Sequence, residues 1–140
     1  MTEDLTYHSE IDKLEAAMVG HPPADCPLTH RFAPGLYIRE IFIPAGTLLT
    51  SAIHKTEHPF VLAQGRIAVI SENEGQVIYE APHVGITQPG TRRALFAQTD
   101  VVWVTIHKTD KTDLHDICAD LIEERPNPLL PNFQPQYLPQ

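Results

Sequence analysis

The chain has 140 residues, is 42% hydrophobic and carries a formal charge of −8. That length fits one domain, and a chain of this size buries roughly two thirds of its unfolded surface, so a core forms without disulfide staples. Cys26 and Cys118 lie far apart with no CxxC or Cys/His ligand spacing, which excludes a disulfide scaffold and a zinc ribbon. No apolar run approaches the ~18 residues of a membrane span, and the acidic start differs from a basic signal region, so a chain with no membrane partner is expected. The charge is unevenly placed: −5 over residues 1–30, +1 over 31–108 and −4 over 109–140. Nucleic-acid binding needs a clustered basic face, and only the Arg92-Arg93 pair offers one.

In chain order, the first expected element is a short helix near residues 10–19, with Ser9 as cap, Ile11, Leu14 and Met18 on one face and Gly20 as stop. It belongs to an N-terminal region, 1–35, that ends in the proline-rich run His21–Pro34, read as an extended surface connector. A core over 36–108 follows. It reads as eight short strands rich in Val, Ile, Phe, Tyr and Thr: 36–43, 47–53, 60–64, 66–71, 76–80, 84–87, 93–97 and 101–107. Gly or Pro punctuates most joins, and no helix intervenes. Such spacing predicts an all-β, antiparallel jelly roll.

After His107 the period changes. Leu114, Ile117, Cys118, Leu121 and Ile122 share one helical face behind a Thr112 cap, which predicts an amphipathic C-terminal helix within residues 109–125. The tail, 126–140, holds five prolines and the spaced apolar residues Leu129, Leu130, Phe133, Tyr137 and Leu138. It cannot form a core of its own; it is either solvated polymer or an arm that docks those side chains on a neighbour.

Eight histidines raise the question of a metal. On a continuous strand His54 and His58 would share a face but lie roughly 13 Å apart, too far to meet on one ion, so only a turn at Lys55-Thr56-Glu57 brings them together. Glu57 beside them is a candidate ligand or general base, or a solvated turn residue. On the last strand the aliphatic face Val102, Val104 and Ile106 reads as core, which turns His107 outward. His83 and His115 read as surface residues, and His21 and His30 lie in the connector. Neither cysteine has a fixed His partner, and there is no phosphate loop or nucleophile elbow. Arg92 and Arg93, after a Pro-Gly turn, suit a carboxylate or phosphate, or an interface salt bridge.

The segment Gly46 to Gly65, followed by Gly85-Ile86-Thr87-Gln88-Pro89-Gly90, resembles the two motifs of the cupins. The resemblance implies a small double-stranded β-helix barrel and, in metal-binding members, His and Glu ligands inside it. Aligned on Gly65, the motif's Glu falls on His58, its second His on His54 and its first His on Ala52, while the second motif's His falls on Arg93. Two ligands are thus absent and a third is changed in type, and a cation at Arg93 opposes a metal.

The layout of jelly roll, proline-rich connector, C-terminal helix and apolar tail, with the Pro89-to-His107 segment, also resembles the small cement or decoration proteins of tailed-phage capsids. That likeness implies a non-enzymatic virion structural protein with no cofactor. It would be made in the host cytoplasm, form a homodimer and clamp a major capsid protein on the capsid surface. Its contacts would be Leu129, Leu130, Phe133, Tyr137, Leu138, Arg92 and Arg93. The alternative is a small metal-dependent cupin enzyme, an isomerase or oxygenase holding a divalent transition metal on His54, His58 and Glu57, or a barrel that binds a small molecule.

Overall fold

A computed structural model describes residues 2–71, 75–125 and 127–129, with side chains from Glu10 onward. Helix α1 (Thr2–Met18) precedes ten strands: β1 (Leu28–Ala33), β2 (Leu36–Ile43), β3 (Leu48–Thr50), β4 (Ile53–His54), β5 (His58–Gln64), β6 (Arg66–Ser71), β7 (Gly75–Glu80), β8 (His83–Thr87), β9 (Arg93–Ala97) and β10 (Val101–Lys108). Helix α2 (Leu114–Leu121) and a two-residue strand, β11 (Ile122–Glu123), follow. The strands pair antiparallel into a five-stranded sheet ordered β1-β2-β10-β5-β8, a four-stranded sheet ordered β3-β9-β6-β7, and the short ladder β11-β4. This is the jelly roll that the punctuated strands predict.

Ile43, Phe60, Leu62, Ile67, Val69, Leu95, Val101 and Trp103 fill the space between the two larger sheets. Each such side chain contributes about 1.5–3 kcal/mol on burial. Two glycines are sterically required. Gly65 has φ +94° and a Cβ there would strike the Asp100 carbonyl; a Cβ on Gly85 would lie 2.5 Å from the Phe60 ring. The second fit matters because Phe60 stacks on Trp103 with centroids 4.6 Å apart.

Several boundaries differ from expectation for identifiable reasons. The proline-rich connector contains β1, which is possible because β1 is an edge strand and pairs on one side only. Helix α1 begins well before Ser9. Helix α2 is capped by Asp113, whose side chain accepts the Asp116 N–H at 3.0 Å, rather than by Thr112. It stops at Leu121 because Ile122 turns extended and pairs with β4. Strand β10 is the reverse of its expected orientation: Val101, Trp103, Thr105 and His107 are buried, whereas Val102, Val104 and Ile106 are half-buried on the outer face. The aliphatic face was the wrong choice because the inner wall of this barrel is mixed in polarity.

The ends of the fold meet in a buried ion cluster. Asp12 accepts from Arg92 Nη1 at 3.0 Å and from Arg125 Nη1 at 2.8 Å, and Glu15 accepts from Arg92 Nη2 at 2.6 Å. Asn127 Nδ2 donates to Glu15 Oε1 at 3.0 Å and to the Asp12 carbonyl at 3.1 Å, and Thr50 Oγ1 donates to Glu15 Oε2 at 2.8 Å. Two carboxylates meet two guanidiniums, so the cluster is neutral. Arg92, expected at an interface, is spent inside the molecule at 1% exposure. Leu129 is exposed, while its N–H donates to Asn127 Oδ1 at 2.9 Å. The other expected tail contacts, Leu130, Phe133, Tyr137 and Leu138, lie outside the described residues.

Candidate metal centre

Three imidazoles converge in the barrel, with ligand atoms of His54, His58 and His107 all within 4.8 Å of one another. His54 ends β4 and His58 opens β5, and the bend between them forms where expected, at Lys55-Thr56-Glu57. It is pinned from both sides. The Lys55 N–H donates to the Leu121 carbonyl at 2.7 Å, and the His54 carbonyl accepts from the Gly90 N–H at 2.9 Å. The third imidazole comes from β10, where the inward face that carries Trp103 and Thr105 delivers His107. His54 and His107 stack at 5.1 Å with 10° between planes, and His58 is tilted against both at 4.4 and 4.5 Å.

The hydrogen bonds prepare these rings to act as ligands. His58 Nδ1 lies 3.2 Å from the Thr56 carbonyl, which only accepts, so Nδ1 carries the proton and Nε2 keeps its lone pair. His107 Nε2 lies 2.8 Å from Thr105 Oγ1, while its buried Nδ1 has no hydrogen-bond partner. A buried nitrogen without a partner is costly, and a metal would satisfy it. All three rings are held neutral. Burial first, then the neighbouring His58 and His107 and the Arg39 and Arg93 charges, pushes His54 down to about 2. Burial, His58 and Arg39 push His107 down to about 3, and burial likewise lowers His58. Neutral imidazole is the metal-binding form.

A metal held at about 2.1 Å from each of three nitrogens needs them roughly 3–3.5 Å apart, so modest side-chain rotation closes the observed spacing. The donor set fits a divalent transition ion. The surrounding cavity has a volume of about 460 Å³ and an apolar body formed by Ile41, Leu49, Leu95 and Leu121. Tyr37 also lines it, its phenol pushed up to about 12 by burial and thus protonated.

Glu57, a third ligand or base under the metal-dependent alternative and otherwise a solvated turn residue, is exposed and belongs neither to the three-His cluster nor to the cavity wall. The bend that unites the two histidines turns it outward. Arg93 does line the cavity: Nη1 donates to Thr87 Oγ1 at 2.8 Å, and the guanidinium lies 4.7 Å from the Phe60 ring centroid. The sequence reading missed His107, Thr105 and Arg39. The signal was there in the alternation of β10, which places Trp103, Thr105 and His107 on one face.

No protein-family model matches the chain, and no curated protein matches it in sequence. Solved structures do match in fold. A cupin-superfamily protein of Desulfitobacterium hafniense aligns with a TM-score of 0.52 at 9% identity, covering 68% of this chain and 87% of that one. An RmlC-like cupin with a double-stranded β-helix fold from Methanocaldococcus jannaschii gives 0.51 at 7% identity over 64% and 85%. The cupin domain of Schizosaccharomyces pombe Cnp3 gives 0.51 at 17% over 66% and 67%. The fold is that of the cupins. Nothing in these comparisons links the chain to capsid cement proteins, and the expected homodimer and capsid role gain no support from them. In this cupin fold the third imidazole comes from β10, while the second-motif position holds Arg93.

Proposed function

We propose that this chain is a metal-binding cupin-fold protein that holds a divalent transition ion on His54, His58 and His107 and presents it to a small molecule in the barrel. The observation that carries the reading is the convergence of three neutral imidazoles, one with an unsatisfied buried nitrogen, on the wall of a cavity large enough for a metabolite. The Thr56 carbonyl and the Thr105 hydroxyl orient two of the rings. Trp103 lines the cavity and is backed by Phe60, stacked on it with centroids 4.6 Å apart. A bound ion would supply Lewis acidity toward an oxygen donor of the ligand.

The test is the metal content of purified protein after loading with Mn²⁺, Ni²⁺ or Zn²⁺ and dialysis. One equivalent is expected in the wild type and in Glu57→Gln, with loss in His54→Ala and in His107→Ala. The capsid-cement reading expects the opposite pattern, with indifferent histidines and attachment that depends on the tail. Absence of stoichiometric metal from the wild type refutes the metal-centre proposal.

A further inference from the structure

The cavity is not walled by the barrel alone. Met18 at the end of α1 and Pro23, Ala24 and Cys26 of the connector line one part of it, and Leu114, Ile117 and Leu121 of α2 line another. The two covers are fastened by different forces. Helix α2 buries Ile117 and Leu121 against Tyr37, and the β11–β4 ladder ties down its end. Between Met18 and Pro27 the chain crosses as a strap. Val19 to Asp25 are exposed, Cys26 is half-buried on the core cluster, and among the described residues no hydrogen bond joins residues 19–26 to the barrel.

The strap is held at its two ends. At one, the Phe42 N–H donates to the Pro27 carbonyl at 3.0 Å and β1 follows. At the other is the ion cluster, in which Asp12 and Glu15, within two turns of Met18, grip Arg92, Arg125, Asn127 and Thr50. This clasp touches the cavity wall itself: Thr50 and Thr91 line the cavity, and Arg92 lies between Thr91 and the cavity-lining Arg93.

A clasp made of ions differs from an apolar seal in what its release exposes. Ile11 is the buried hydrophobic residue of α1 among those described, so undocking gives up little apolar burial. The carboxylates and guanidiniums meanwhile regain hydration that offsets much of their lost attraction. Undocking also leaves the core cluster between the sheets and the α2 cluster intact, so it is a local opening, lower in free energy than unfolding. A helix stripped of its packing is marginal in water, so the released segment loses its shape as well.

Going beyond the metal centre, and independently of any bound ion, we infer that α1 and residues 19–26 form a lid on the cavity, with Asp12, Glu15 and Arg92 as its catch. Closed, the clasp seats Met18 and the strap on the cavity. Open, α1 leaves Arg92, the strap swings on Pro27, and a small molecule passes to Trp103 and the inner wall. The catch sets how often the cavity is open, and so how fast it exchanges its contents.

The experiment uses the full chain with no metal added and has two readouts. Hydrogen exchange read by mass spectrometry compares the amides of residues 12–18 with those of β5, β6 and β10. Acrylamide, a neutral quencher, reports access to Trp103, the chain's one tryptophan, which lines the cavity at 6% exposure. In the wild type, α1 is expected to exchange at least tenfold faster than the three strands. Asp12→Lys, which sets like charge against Arg92 and Arg125 while leaving the barrel's own residues untouched, should speed α1 exchange at least a further tenfold. The strands of that variant should stay at least tenfold slower than its α1, and its Stern–Volmer constant should rise at least twofold. Should Asp12→Lys fail to fold, Glu15→Ala, which removes the bonds to Arg92, Thr50 and Asn127, carries the same two comparisons. Wild-type α1 amides protected as long as the strands overturn the inference, because the catch then opens only when the barrel unfolds. A variant whose α1 exchanges fast while Trp103 is quenched as in the wild type also overturns it, because α1 then covers nothing. Neither readout involves a metal, so failure of the lid and failure of the metal centre are told apart.

Discussion

His54, His58 and His107 are three bases whose protons are withheld by their surroundings, and this has a measurable cost in acid. Burial is the principal cause, and the neighbouring charges of Arg39 and Arg93 add to it for His54. In the unfolded chain each imidazole protonates near pH 6.5. Below that pH the unfolded state takes up protons that the folded state refuses, so stability is full above about pH 6.5 and declines as pH falls toward the folded values. Each such His contributes a slope of at most about 1.4 kcal/mol per pH unit. Metal-free protein should therefore lose stability steadily from pH 6.5 to 5, above the carboxylate range, and His107→Gln should flatten that slope by about one proton. Urea denaturation at several pH values measures it, and an unchanged slope in the variant means that His107 titrates normally in the fold. The pair His54 and His58 was legible in the sequence because both lie at one potential turn. His107 was not, because residue type alone ranked an aliphatic face above a face of Trp, Thr and His as core. A barrel that encloses a polar site inverts that ranking.

Among the elements, α1 shows how little of its attachment a sequence reveals. Its apolar face is slight, and Ile11 is its buried hydrophobic residue among those described. The helix is instead held by Asp12 and Glu15 against Arg92, Arg125 and Asn127, partners 77 to 115 positions away. Burial alone would raise the Asp12 pKa, but the hydrogen bonds and charges of Arg125 and Arg92 outweigh it and hold the carboxyl below its usual range. Removing one partner leaves charge buried and uncompensated, so Arg92→Met should cost about 3–5 kcal/mol. Asn127→Ala, which removes the amide's bonds to Glu15 Oε1 and to the Asp12 carbonyl, should cost about 1–3 kcal/mol. Equilibrium unfolding in urea is the check, and losses below 0.5 kcal/mol in both variants (about the level of an ordinary surface change) would sink the clamp. Deleting residues 126–140 removes Asn127 as well, so truncation is destabilising in itself and the start of the tail belongs to the chain's own fold. By contrast the strands were largely readable, since Gly and Pro mark their joins and alternation marks their faces. β1 escaped notice because the signal against it, proline, excludes only a central strand.

At the scale of the whole molecule, β10 is seated between β2 and β5, hydrogen-bonded to both. His107 reaches His54 and His58 only when that strand closes the sheet, so the proposed ion seat comes into being with the barrel and not before. Closure must bring together segments far apart in sequence, which makes it a slow and late step in such topologies. An ion that binds only the closed form cannot hasten the search that creates it; it can only delay departure. Stopped-flow refolding should proceed at one rate with or without Ni²⁺, while unfolding slows by about a hundredfold at a free-ion concentration one hundred times its dissociation constant. A refolding limb that accelerates with the metal would mean that the imidazoles gather before β10 docks. Under the proposed metal centre the barrel opens only from its ion-free form, so the lifetime of the closed sheet is set by how rarely that form is populated, and occupancy acts as a brake on the departure of one strand from its neighbours.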